Sequence, residues 1–140
     1  MTGIHQQLFT NFAGGGAGAV IEYLLIAGGA SGGSHGGTGG GAGGYRSSFA
    51  SSTTGGGGSA EDPLTLASGT KLTITIGAGG TGVNNAHGSY GALSTIARDD
   101  GGDTITSTGG GRGVASATAN IVGGSGGSGG GNCQSFAGGA

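Results

Sequence analysis

The sequence predicts a mainly β chain with little helix. Its glycine-rich segments are expected to run extended or in a polyglycine-II-like conformation, with an intertwined oligomer as a further expectation. Three observations support this. First, 42 of the 140 residues are glycine and one is proline, against an ordinary glycine usage of about 7%. Second, glycine blocks alternate with short apolar runs that follow the two-residue period of a strand. Third, the large apolar residues (Val, Ile, Leu, Met, Phe and Tyr) number only 27. Burying such a side chain yields about 1.5–3 kcal/mol, whereas ordering the backbone costs about 1–2 kcal/mol per residue. An oily interior is therefore insufficient, and cohesion must come from the main chain or from association. The alternative, disorder, goes with high net charge, and the formal charge here is −2.

The first twelve residues, "MTGIHQQLFTNF", hold a single glycine. Ile4, Leu8, Phe9 and Phe12 recur at helical spacing, which predicts a short amphipathic helix or an extended arm docked on a neighbour. Residues 1–19 are read as an attachment segment and 20–140 as a glycine-rich β domain. "VIEYLLIA" (20–27) is almost continuously apolar, the pattern of a strand buried on both faces. The glycine block 28–44, a polar, serine-rich stretch 45–54 and glycines 55–58 follow. "AEDPLTLASGT" reads as a turn region directed by Pro63. "KLTITI" (71–76) is the clearest strand: Leu72, Ile74 and Ile76 point one way, and Lys71, Thr73 and Thr75 the other. "ALSTIA", "DTITST" and "VASATANIV" are shorter β-prone pieces.

Within 123–131 glycine pairs recur every three residues, the turn of the polyproline II helix. Lacking Cβ atoms, such helices can approach until N–H and C=O groups pair between them, aided by Cα–H···O contacts. The plainer alternative is a flexible Gly/Ser linker.

Charge and chemistry remove several functions. Four Lys/Arg against six Asp/Glu leave no basic stripe for a phosphate backbone, so nucleic acid is not an expected partner. The single cysteine, Cys133, offers neither an intrachain disulfide nor a paired-cysteine metal site. The most apolar run, "AVIEYLLIA", is too short to cross a bilayer as a helix, and no secretory leader is visible. Membrane insertion is not expected.

"TITIGAGGTGVNNAHG" contains a G-x-G-x-x-G pattern at Gly77, Gly79 and Gly82, followed by Asp99 and Asp100. This is the outline of a dinucleotide-binding turn. With three positions in ten occupied by glycine, roughly four such matches arise by chance. Others occur at Gly39/Gly41/Gly44 and Gly124/Gly126/Gly129. No apolar stripe at helical spacing follows Gly82 to receive a pyrophosphate, so the pattern is coincidental. Asp99, Asp100 and Asp103 read as a solvated turn rather than a calcium loop. His5, His35 and His87 are dispersed and lack the spacing of zinc ligands. No enzymatic activity, metal or cofactor is expected.

Three stretches in order, "VIEYLLIAGGASGGSHGGTGGGAGGY", "GTKLTITIGAGGTGVNNAHGSYGALSTI" and "ITSTGGGRG…GGSGGSGGG", resemble the glycine-rich domain of bacteriophage tail-fibre and related virion proteins. The elements carrying the likeness are "YLLIAGG", "GAGGY" and "LTITIGAGG", and they cover roughly 20–131. The resemblance implies a non-enzymatic structural part of a virion, assembled in the host cytoplasm and partnered by other virion proteins. Adhesion to a host glycan or protein is a possible further task. With the sparse apolar content it points to a homotrimer. In related adhesins polyglycine II helices form a sandwich whose loops meet the receptor. Here only about twenty residues precede the domain, and "CQSFAGGA" reads as an interrupted glycine region of a longer fibre.

For adhesion, Tyr45, Arg46, His87 and Tyr90 are the expected receptor contacts, because aromatic residues and arginine concentrate interface energy. Tyr45 and Tyr90 have a second reading as seals at strand ends. Ile4, Leu8, Phe9 and Phe12 are the expected assembly anchor. The competing function is a cell-surface or extracellular glycine-rich scaffold outside any virion.

Overall fold

The computed structural model describes residues 5–8, 18–49, 53–55, 58–115 and 121–133, with the backbone alone for 5–8. Among them eight strands occur in chain order: β1 (His5–Leu8), β2 (Ala19–Ile21), β3 (Leu24–Ile26), β4 (Tyr45–Ser47), β5 (Leu64–Leu66), β6 (Leu72–Thr75), β7 (Ser94–Arg98) and β8 (Ile105–Ser107). All pairings are antiparallel. One sheet has the order β1-β6-β7-β8; β2 pairs with β5, and β3 with β4. No helix occurs among the described residues. The chain is mainly β, as its alternating pattern predicts.

The strands are the bases of longer hairpins whose upper parts are glycine. β3 and β4 pair conventionally, Leu24 with Ser47 and Ile26 with Tyr45. Beyond Ile26 the pairing changes period. The N–H groups of Ala27, Ala30 and Gly33 donate to the carbonyls of Gly44, Gly41 and Thr38, one bond every third residue. A strand ladder cannot produce that spacing, because its side chains and bonds repeat every two residues. Three is the repeat of the polyglycine and polyproline II helix, whose bonding groups all point outward.

The same spacing recurs throughout the glycine region. Gly28, Ser31 and Ser34 donate to Ala92, Ser89 and Ala86; Thr38, Gly41 and Gly44 donate to Val114, Gly111 and Thr108. Gly88 and Gly91 donate to Gly113 and Gly110, while Gly110 and Gly113 donate to Gly28 and Ser31. Segments 27–34, 37–44, 77–81, 87–92, 108–114, 122–125 and 127–131 thus form a bonded array. Segment 108–114 lies at its centre, bonded to 27–34, 37–44, 87–92, 122–125 and 127–131.

Close approach explains the glycine. A Cβ on Gly91 would collide with the Gly28 carbonyl oxygen, and one on Gly111 with that of Gly124. Both positions need the absent side chain for its space, with no positive φ at either.

A small apolar core lies beneath the array. Leu25, Ile96 and Ile105 are buried, with Tyr23, Leu64, Leu72 and Ile74 packed against them. Buried serines mark the passage from strand to glycine. At the start of β7, Ser94 Oγ accepts the Gly77 N–H at 2.9 Å; Ser48 does a similar service at the end of the β3–β4 pair away from the glycine, its Oγ accepting the Tyr23 N–H at 2.7 Å. A small hydroxyl fits the narrowing space and takes up donors left over where the ladder changes period.

Several expectations are corrected. Residues 20–27 are not one strand buried on both faces: they divide into the end of β2 and β3, which lie in different sheets. Only Leu25 and Ala27 of this run are buried, while Val20 is 69% exposed. Each strand sits in a two-stranded sheet with one face outward, so burial alternates. The polar stretch 45–54 contains β4, and the supposed turn region 60–70 contains β5, whose Leu64 and Leu66 alternate with Thr65 just after Pro63.

Within 71–76, Leu72 and Ile74 meet the core but Ile76 is half exposed beyond the end of β6. The periodic run 123–131 is not one straight helix; it folds back through a bend at 126–128. Of "VASATANIV", Val114 ends a glycine segment, fully buried; 116–120 lie outside the described residues, and Ile121 makes an isolated bridge with Cys133. His5–Leu8 is a strand on β6 of the same chain, Leu8 opposite Leu72, rather than helix. Ile4, Phe9 and Phe12 lie outside the described residues.

Candidate functional site

Two places gather chemistry-bearing side chains, one at the strand end and one on the glycine array. At the strand end, Tyr23 precedes β3 and Leu24 opens it, Tyr45 and Ser47 belong to β4, and Phe49 follows it. With Glu22 they line an open groove of about 360 Å³. Three of the seven aromatic residues in the sequence stand there. The alternation of β4 explains which side chains face the groove. Tyr45 and Ser47 share one face of the strand; Arg46, between them, points the other way.

Arg46 forms a brace behind the groove. Its Nε donates to Glu61 Oε1 at 2.7 Å and its Nη2 to Oε2 at 2.5 Å, a two-pronged pairing. Its Nη1 donates to the Thr106 carbonyl at 3.0 Å. Glu61 also accepts the Tyr23 hydroxyl at 2.6 Å and that of Thr54 at 3.2 Å. The Arg46 hydrogen bonds hold the Glu61 carboxyl below its ordinary value, against the opposing effect of burial. Burial first, then the bond to Glu61, push the Tyr23 phenol up to about 12. Tyr23 is therefore neutral and fixed in orientation. Glu22 has no hydrogen-bond or ion-pair partner among the described residues.

On the array, His87 and Tyr90 lie three apart in segment 87–92, and a threefold repeat places them on the same side. His87 Nδ1 accepts the Ala115 N–H at 3.0 Å. Tyr90 is 53% exposed, with the Arg112 guanidinium 5.5 Å from its ring centre. Arg112 leaves the central segment beside Tyr90, whose ring rests against Gly124. The far end of the array carries the bends 34–36 and 84–86, where His35 and Asn85 adopt φ of 53° and 56°. Ser34 joins these bends: its Oγ accepts the Ala86 N–H at 2.8 Å.

The four expected receptor contacts thus separate. Tyr45 lines the groove, Arg46 serves the brace, and His87 and Tyr90 share the array flank. Sequence reading passed over Tyr23, Phe49 and Glu22 at the groove, Glu61 in the brace behind it, and Arg112 at the flank. Alternation through Tyr45 and Ser47 was the available signal for Phe49; the others had none, since they arrive from different segments.

The acidic turn is likewise structural. Asp100 pairs with Arg98, and Asp99 Oδ1 accepts the Lys71 N–H at 2.8 Å. No group of His, Cys, Asp and Glu among the described residues could hold a metal ion. No family model, curated protein or solved structure matches the chain.

Proposed function

We propose that this chain is a non-enzymatic structural domain of a phage tail fibre or related virion appendage, with adhesion as an accompanying task. The observation that supports it best is the glycine array bonded every third residue. Such a body derives its cohesion from main-chain bonds spread through its length, which suits a part that must stay rigid with little apolar interior. It also frees its side chains for the surface, as at Tyr90 and at the bends 34–36 and 84–86.

Trimerisation belongs to the proposal, but now leans on the family resemblance alone. The described bonds already supply, within one chain, the cohesion that the sparse apolar content called for. A sedimenting species of about three times 12.7 kDa is the expected result, and a stable folded monomer would remove the trimer.

The virion reading is tested by a mass-spectrometric inventory of purified particles, together with gold-labelled antibody. The protein is expected in the particle and on an external appendage. Its absence from particles, with labelling of the cell surface instead, would transfer the domain to an extracellular scaffold.

A further inference from the structure

We propose that the flank of the glycine array around Tyr90 and Arg112 binds a carboxylated sugar, with the Arg112 guanidinium taking the acid group and Tyr90 the sugar ring. This gives the adhesion task its partner chemistry and, for its use, rests on that reading.

The distribution of charge points to an anionic guest. Every Asp and Glu of the sequence lies outside the array segments, in the connections at the strand end. Within those segments no Lys occurs and Arg112 is the single arginine. Arg46 and Arg98 are committed to Glu61 and Asp100. Arg112 has neither an ion pair nor a hydrogen bond among the described residues. It is half-buried, and its guanidinium meets the Tyr90 ring instead, 5.5 Å from the ring centre. A guanidinium holds five N–H donors in a planar fork, and withdrawing such a charge from water without an acceptor is costly. A carboxylate fits the fork through two parallel bonds.

The neighbours of Arg112 favour a sugar as the carrier of that acid. Tyr90 is 53% exposed, and its ring offers an apolar face beside the fork for the C–H side of a pyranose. The Tyr90 hydroxyl has no partner among the described residues and is left for a sugar hydroxyl. His87 lies one threefold turn away, about 9 Å along the segment. Its Nδ1 accepts the Ala115 N–H at 3.0 Å, so a neutral ring carries its proton on Nε2 as a further donor. A phosphate polymer, in contrast, calls for several basic side chains, and this flank has one.

The main chain fixes both principal residues. On either side of Arg112, the Gly111 and Gly113 N–H groups donate to Ser128 and Ser31, and the Arg112 carbonyl accepts the Gly124 N–H. On either side of Tyr90, the Ser89 N–H donates to Ser31 Oγ at 2.8 Å and the Gly91 N–H to Gly110. Side chains presented from so bonded a backbone keep their spacing when a guest arrives.

The test is titration of the isotope-labelled full chain with trigalacturonate and with sialyllactose, followed through amide shifts. The trimethyl ester of trigalacturonate, maltotriose and inorganic tripolyphosphate serve as comparisons. At least one of the two acids is expected to bind about tenfold more tightly than the ester and maltotriose, as a charge-assisted hydrogen bond provides. Its shifts should centre on 87–92 and 111–113. Arg112→Gln should remove that tenfold advantage, and Arg112→Lys, which keeps the charge but not the fork, should restore only part of it. Tyr90→Ala should weaken the acid about fivefold.

Binding by neither acid, equal affinity for acid and ester, or shifts centred elsewhere would overturn the proposal. Tighter binding of tripolyphosphate would also overturn it, reducing the flank to an unspecific anion patch. The ester comparison uses the unaltered chain and so holds even if an Arg112 variant fails to fold. A failed titration leaves the particle inventory untouched, and absence from particles leaves the titration untouched, so the two failures are told apart.

Discussion

Two glycines of identical composition and opposite meaning show what a single residue contributes here. At Gly91 a Cβ would meet the Gly28 carbonyl, itself bonded to Gly110 and unable to yield. At Gly39 nothing lies within 4 Å of a built Cβ, and φ is not positive. Gly91→Ala should therefore cost about 3 kcal/mol, at the upper end for overpacking. Gly39→Ala should be neutral or stabilising by about 0.5 kcal/mol, since alanine has less freedom to lose on folding. Denaturant unfolding of the two variants checks this; equal losses would mean that glycine here answers conformational freedom and not close packing. From sequence the two positions are indistinguishable.

Among the elements, β4 carries the most information for its length. Its three residues place Tyr45 in the groove, bury Ser47, and send Arg46 to Glu61 on the opposite face. The Glu61 carboxyl titrates below its ordinary value of 4.5. The folded state therefore binds fewer protons than the unfolded state in acid, and the stabilisation is present above that value and lost as pH falls through the depressed one. Melting temperature should decline on acidification below about pH 4.5, and less steeply in Glu61→Gln. At neutral pH that substitution should cost about 1–2 kcal/mol, a figure reduced by the solvent still reaching the pair. Parallel pH profiles for the two proteins would exclude the brace as an acid-sensitive contact. β4 was invisible in the sequence because its polar, serine-rich surroundings mask a strand only three residues long.

At the scale of the whole molecule, the order of stability should be inverted relative to an ordinary domain. Four of the seven residues of the central segment 108–114 are glycine, yet Gly110, Gly111 and Gly113 are buried and their N–H groups donate to Gly28, Ser128 and Ser31 at 2.9–3.1 Å. Their amides should be among the slowest to exchange with heavy water, slower than those of β2 and β5 in their two-stranded sheet. Exchange there at the rate of an open peptide would show that the array does not hold the molecule together.

Composition and periodicity by themselves determined that the chain is mainly β and that β6 and β7 are strands, and for 123–131 they left a polyglycine-II-like helix and a flexible linker as alternatives. These properties are local: a two-residue alternation or a run of missing Cβ atoms is written in neighbouring residues. Only the tertiary structure decided which glycine segments bond, where 28–44 and 123–131 turn back, and which side chains form the groove. Those outcomes depend on contacts between residues such as Tyr23 and Glu61 or Gly110 and Gly28, far apart in sequence. Outward-pointing main-chain groups carry no label naming their partner, so identical glycine blocks acquire their roles only when the hairpins bring them together.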